Sequence, residues 1–364
     1  MLLGLATLAA AWNSPVPIQD VPQTGLLVLG FFLITLTCVF RVTYHADELA
    51  ELLGEPYGTL ILTLSATIIE VAIMVTVLGH AGGNPTFVRD TIAATIMITV
   101  GLMLGMAMFI GAFIHRQQTV NTEGALTYLG LIIPLSILAL ILPNFTNSTI
   151  GPTLAVPQAI FIAAIALLLY GIFLFIQTRR HRKLFRDQSA PEPLTFDADD
   201  DTEPAESGMA PSGPHQRIKH FAWLVASLVL VVLLAEEMAV LMDDLLEEHQ
   251  LPEQLGGLVV AMLVLAPECL ACIKAAYRNR LQRAVNIALG SGLATLSLSV
   301  PAILLIVSWL GHTVTLGLPA REMIMMLSTL WVANIALATG RTNLMQGTVL
   351  LVLFLTYGFL IVVP

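Results

Sequence analysis

Charge is what this chain has least of. Of its 364 residues only 11% are Asp, Glu, Lys or Arg, against 57% apolar, whereas globular domains carry about 25% charged residues. A chain so poor in charge cannot face water on every side. The 16 bases are outnumbered by 25 acids, for a net charge of −9, which excludes a strongly basic nucleic-acid binder. Cysteine is nearly missing: Cys38, Cys269 and Cys272 are too few for a disulfide scaffold. Cys269-Leu-Ala-Cys272 lies inside an apolar run with no second pair to complete a zinc site, and reads as packing. His-Glu-x-x-His, Gly-x-Ser-x-Gly and phosphate-loop motifs are all absent, so no enzyme chemistry and no resident cofactor is expected. These gaps describe an integral membrane protein.

A membrane span needs about 20 mostly apolar residues to cross about 30 Å of hydrocarbon. Ten such runs are present, at about 24–43, 58–78, 91–114, 125–142, 155–177, 221–242, 255–273, 284–309, 321–338 and 345–362. All are too long for strands, so the expected fold is an all-α polytopic bundle. A shorter apolar run, Met1 to Trp12, has no Lys or Arg ahead of it as a signal peptide would. It reads as a stunted extra helix or a start codon placed late. Residues 1–23 form this N-terminal segment, 24–177 a first set of five helices, 178–220 a linker, and 221–364 a second set of five.

Basic residues orient the bundle. With the linker, which opens on Arg179, Arg180, Arg182, Lys183 and Arg186, in the cytoplasm, only Arg89 and Arg321 of the 16 bases fall outside. The linker then runs into Asp197, Asp199, Asp200, Asp201 and Glu203 among scattered prolines. Its composition is that of a disordered, solvated segment; as an acidic run it could also gather calcium as a regulatory lure.

Five helices on each side of the linker is an odd number, so the second half enters the membrane inverted relative to the first. That is the plan of secondary transporters, whose sites lie at midplane between the repeats. The two halves carry matching features. Gly58 is followed twelve residues on by Glu70, and Gly256 twelve residues on by Glu268, each in the second helix of its half. Twelve residues of helix rise about 18 Å; starting from opposite faces of about 30 Å of hydrocarbon, the two carboxylates come within about 6 Å in depth. An acid at that depth costs on the order of 2.5–3.5 kcal/mol or more, which makes function the default expectation.

Two nearby carboxylates in low dielectric need protons or a counter-ion. Both can be protonated, or both ionised around a divalent cation such as Ca2+, which favours carboxylate, carbonyl and water oxygens in loose geometry. Monovalent ions satisfy the same arithmetic. Protons and cation competing for one pair of glutamates, with access alternating between the two faces, constitute an exchange mechanism. Ser65, Thr67, Thr91, Thr95, Asn286 and Ser291 could add neutral oxygens, although a hydroxyl in a helix often bonds back to its own carbonyls. Pro267, ahead of Glu268, frees the carbonyl of Leu263 as a further ligand. Glu236 and Glu237 could form a vestibule or mark where their helix meets water. His45, Asp47, Glu48, Glu51 and Glu55 form an acidic approach to the Glu70 helix, with His45 a pH sensor or part of a capping loop.

The stretches His45-Ala-Asp-Glu-Leu-Ala-Glu-Leu-Leu-Gly-Glu-Pro-Tyr-Gly58, Arg89-Asp-Thr91, Ala266-Pro-Glu268, Gln282-Arg-Ala-Val-Asn286, Gly290-Ser291, Leu293-Ala-Thr295 and Gly340-Arg-Thr-Asn343 strongly resemble the bacterial ChaA-type antiporters of the calcium/cation antiporter superfamily. The resemblance covers nearly the whole chain. It implies exchange of Ca2+, and in some members Na+ and K+, for protons across the bacterial inner membrane, with Glu70 and Glu268 as the central acids. The chain departs from the superfamily pattern at Ser65-Ala-Thr67, where many members have Gly-Asn, and at Ile69, which has no proline to match Pro267. A Na+(K+)/H+ antiporter with little Ca2+ transport, and a passive cation channel with an acidic ring, are the competing readings. The bilayer and the transported ions are the expected partners.

Overall fold

The computed structural model describes residues 21–53, 57–79, 84–180, 184, 214–310 and 314–363. The segment Met1 to Trp12, Glu55 and the acidic run Asp197, Asp199, Asp200 and Asp201 lie outside them. Among the described residues the structure is helical, with no strand beyond a single bridge between Thr119 and Arg341.

Helices stand where each of the ten apolar runs predicts one. The first half holds α1 (Val21–Leu53), α2 (Tyr57–Gly79), α3 (Phe87–His115), α4 (Thr122–Phe145) and α5 (156–180). The second holds α6 (Pro214–Glu248), α7 (Gln254–Tyr277), α8 (281–310), α9 (Ala320–Ala338) and α10 (Leu344–Val362). Among the described residues nine of them are long and apolar enough to cross a membrane; in α2 the qualifying stretch, Thr63–Gly79, is shorter. Large side chains such as Phe113, Phe161, Trp309 and Trp331 are exposed around the outside, as a bundle solvated by lipid requires.

The first helix of each half is longer than expected. α1 and α6 have 33 and 35 residues, about 50 Å each at 1.5 Å rise, because the polar stretches beside their apolar runs continue the helix. α6 starts at Pro214, inside the range read as linker; proline's fixed φ suits a first helical position.

Packing between the halves follows an exchange rule. α3 packs on α7 and α10, and its counterpart α8 packs on α2 and α5; α4 meets α8, and α9 meets α3. Swapping the two halves maps this contact pattern onto itself, as inverted repeats demand. α1 and α6, which exchange with each other, pack together along their length. The centre belongs to α3 and α8, whose apolar windows are 72% and 61% buried against 28–44% for the other spans.

Both central helices switch to π-helical turns partway along, at Met97–Met103 in α3 and Thr295–Ser299 in α8. Apolar periodicity carries no signature of such a turn. At the linker end, the turn after α3 is zipped to the turn between α9 and α10: Val120 N–H donates to Gly340 O (3.0 Å) and Thr342 N–H to Gln118 O (2.9 Å). Gly340 has φ +67°, a left-handed conformation that favours glycine, which accounts for the Gly340-Arg-Thr-Asn343 motif.

Gly257 sets the approach of α7 to α3. A Cβ there would stand 2.8 Å from Thr91 N and 2.9 Å from the Asp90 carbonyl carbon, backbone atoms that cannot swing aside. Gly257→Val is expected to cost about 1–3 kcal/mol through overpacking and to lower the thermal midpoint of the protein in detergent. Gly30→Ala, with nothing within 4 Å of its Cβ, does not lower that midpoint.

Candidate ion-binding site

α2 and α7 each bring one glutamate to the same cavity of about 390 Å³. Glu70 is buried at 8% exposure and held by three hydroxyls. Thr295 Oγ1 donates to its Oε2 at 3.0 Å, Ser299 Oγ donates to the same oxygen, and Thr95 Oγ1 donates to Oε1 at 3.5 Å. Thr95 comes from α3 and the other two from the π-helical turn of α8. All three side chains are essentially solvent-free. A hydroxyl both donates and accepts, so this cage can hold an ionised carboxylate as donor or turn oxygen lone pairs towards a cation.

Glu268 is held differently. Ser291 hydrogen-bonds its carboxyl, and Glu268 lies close enough to Glu70 for the two acids to interact electrostatically. Its Oε2 is buried with no hydrogen-bond partner in the structure. A buried polar atom left without a partner costs about 1–3 kcal/mol, more if charged; Glu268 lines the cavity, from which a proton or a cation would satisfy that oxygen.

The cavity runs from the two glutamates to Asp47, Gln177 and Arg283, at the end of the bundle where the linker leaves α5. In the opposite direction the path is closed. Beyond Ser299, the side chains of Val88, Ile92, Val300, Ile303 and Val307 leave a void of only about 10 Å³, at the lower limit for one water. The site is therefore open to one face and sealed from the other by apolar packing.

The residues expected from sequence are distributed as follows. Glu70, Glu268, Ser65, Thr67, Asn286 and Ser291 all line the cavity. Thr67 Oγ1 donates back to Thr63 O at 2.9 Å, and Asn286 Oδ1 accepts from Gln282 Nε2 at 3.0 Å. Thr91 is not part of the wall: it is buried, with its hydroxyl on Phe87 O at 2.8 Å. One helical turn deeper, Thr95 is also off the wall but reaches Glu70. Leu263 is fully buried and also off the wall, because α7 turns Val264, Pro267, Glu268 and Ala271 towards the cavity. Glu237 does not line it, and the side chain of Glu236 lies outside the described residues. His45 is away from the carboxylates, 3.2 Å from His220 through the two Nδ1 atoms. Cys272 packs with its thiol on Ala284 O at 3.4 Å. Sequence reasoning missed Thr295 and Ser299 as partners of Glu70. Their signal was the alternation Thr295, Ser297, Ser299 inside an apolar run.

The sodium/calcium exchanger protein model matches residues 23–179 and 219–363 of this chain. The chain belongs to that family. The exchanger is 34% identical over 346 residues to the sodium-potassium/proton antiporter ChaA of Escherichia coli, covering 95% of this chain and 90% of that one. Its fold is similar to the solved structure of native YfkE, with TM-score 0.71 at 19% identity over 94% of this chain and 97% of the other. It is also similar to the H+/Ca2+ exchanger CAX, with TM-score 0.70 at 16% identity over 98% and 86%. The family is one of exchangers and not of enzymes, which agrees with the lack of catalytic motifs.

Removing one hydroxyl of the Glu70 cage tests its contribution. A hydrogen bond to a charged group is worth about 1.5–3 kcal/mol, so Ser299→Ala is expected to weaken cation binding to the exchanger in detergent by roughly tenfold or more. Thr91→Val, outside the cavity, leaves the affinity unchanged.

Proposed function

We propose that the protein is a proton-coupled cation antiporter that exchanges Ca2+ for H+ across the bacterial inner membrane, with Glu70 and Glu268 alternately protonated and cation-bound. One observation carries the reading: two carboxylates from matching helices share a cavity, Glu70 buried and caged by hydroxyls and Glu268 half-buried with an unsatisfied oxygen. An isolated pair of acids there could hold protons or a divalent ion, but an ion and two protons together would leave excess charge in low dielectric. Competition between the two cargoes follows from that exclusion.

With the basic linker end in the cytoplasm, the open cavity faces inward and the seal between α3 and α8 faces out. Alternation requires the reverse arrangement, a seal at the linker end and an opening along Val88, Ile92 and Ile303. The near-twofold relation of the halves supports two such states of similar energy. Each pH unit across the membrane supplies about 1.4 kcal/mol per proton, so two protons entering for each Ca2+ leaving would extrude the ion against its gradient.

A second reading has its own support. The Escherichia coli relative is named a sodium-potassium/proton antiporter, and the cavity offers two carboxylates together with hydroxyl and amide oxygens, a set that also suits Na+ or K+ ions bound one per acid.

Proteoliposomes with an imposed pH gradient and the voltage clamped by an ionophore separate these readings. Tracer Ca2+ uptake is expected to follow the pH gradient and to collapse in both Glu70→Gln and Glu268→Gln. Uptake that ignores the gradient, or survives in either variant, contradicts exchange. Uptake of Na+ or K+ in place of Ca2+ selects the second reading. If the stoichiometry is two protons per Ca2+, the exchange is electroneutral, and releasing the voltage clamp leaves its rate unchanged.

A further inference from the structure

α1 and α6, the first helices of the two halves, meet near the linker end through a pair of imidazoles. His45 Nδ1 stands 3.2 Å from His220 Nδ1, with ring centroids 5.4 Å apart and the planes at 60°. A centroid distance about 2.2 Å longer than the nitrogen contact means that each Nδ1 faces the other, because a ring nitrogen lies about 1.1 Å from its own centroid. The pair is braced. The His45 ring stacks on Trp223 at 6.3 Å and 15°, and the edge of Tyr44 meets it at 5.2 Å. His45 is 9% exposed and His220 partly exposed. A single proton can bridge the two nitrogens, but the transport cavity does not include either ring.

That spacing also suits a metal. Imidazole nitrogens bind Zn2+ at about 2.0–2.1 Å in tetrahedral sites, which places two of them about 3.3 Å apart. The observed separation is within about 0.1–0.2 Å of that span; a tetrahedral ion sits about 1.2 Å off the line between the nitrogens, so each ring tilts by about 35° to meet it while α1 and α6 keep their spacing.

We propose that His45 and His220 form a two-histidine site for a divalent transition metal of the Zn2+ class, separate from the transport cavity, and that the bound ion clamps α1 to α6. Among the described residues no third His, Cys, Asp or Glu stands with the pair. Water therefore fills the remaining positions, and the site binds more weakly than a four-ligand structural zinc. Imidazole nitrogens select Zn2+, Cu2+ or Ni2+ over hard cations, whereas Ca2+ prefers oxygen, so the ion proposed as cargo does not compete. Arg41 and Glu48 on α1 and Lys219 on α6 are the charged groups that act on His45; they flank the site and make its affinity salt-dependent. Val39, Val42, Thr43, Ala46 and Asp47 of α1 form part of the cavity wall. A clamp on α1 therefore resists any rearrangement of that wall, and on the exchange reading it slows turnover.

Zinc binding to the purified, chelator-stripped protein in detergent tests the site without reference to transport. Titration calorimetry is expected to find one Zn2+ per chain, unaffected by excess Ca2+. Affinity should fall by roughly tenfold or more in His45→Gln and in His220→Gln and be retained in His45→Cys, whose thiolate is also a zinc ligand. Equal zinc binding by wild type and both Gln variants, or no zinc binding by the wild type, overturns the proposal, even if the variants alter the pH dependence of transport. In proteoliposomes, Zn2+ on the linker side is expected to slow cation flux in the wild type and not in His220→Gln, with the two proteins equal when zinc is absent. Zinc bound as expected but without effect on flux overturns the clamp. If flux shows no coupling to protons while zinc binding behaves as expected, the exchange reading fails and the metal site stands.

Discussion

A carboxylate taken out of water must be neutralised or compensated, and this fold takes two of them to one place. The idealised cost of burying an isolated charge is of order tens of kcal/mol in a medium of low dielectric, far beyond what a domain's net stability could absorb. Glu70 lessens the cost with three hydroxyl donors from α3 and α8. Glu268 keeps an oxygen with no protein partner. The asymmetry leaves the pair short of compensation from the protein alone, and on the proposed exchange a proton or cation from the cavity completes it. Other features of the interior arrange this meeting: the swapped packing of the two halves, the glycine contact that brings α7 onto α3, and the polar π-turn in the middle of α8.

The helices were legible in the sequence because hydrophobic thickness is a strong constraint. A run of about 20 apolar residues has few alternatives to a spanning helix, and all ten such runs coincide with helices. The ends of α1 and α6 were not legible. The segment from His45 to Leu53 and the residues from Pro214 are polar enough to read as loop, yet they continue the helices, which pack against each other. Hydropathy marks where a helix is buried in lipid and not where its hydrogen bonding stops.

The acids of the site could be read from spacing, its hydroxyls only in part. Twelve residues from glycine to glutamate in both halves is a statement about depth, and depth survives folding. Thr91 was assigned by matching α3 to α8 along the sequence, which fixes depth only to within about a turn of helix. Thr91 and Thr95 share nearly one face but stand about 6 Å apart along the axis, and Thr91 bonds Phe87 O while Thr95 reaches Glu70. Thr295 and Ser299 lie in a π-turn, where the 3.6-residue period behind such matching no longer applies. His220 was invisible for another reason: its partner, His45, lies 175 residues away, and nothing local marks the pair.

The central claim is that protons and cation exclude each other at Glu70 and Glu268. It is tested most directly by adding Ca2+ to the purified protein in weakly buffered detergent and following proton release with a pH indicator. Release that saturates with Ca2+ binding, approaching two protons per chain under conditions where both acids begin protonated, and that disappears when Glu70 and Glu268 are both changed to Gln, is the predicted result. Calcium bound by the wild type with no proton released would contradict the account.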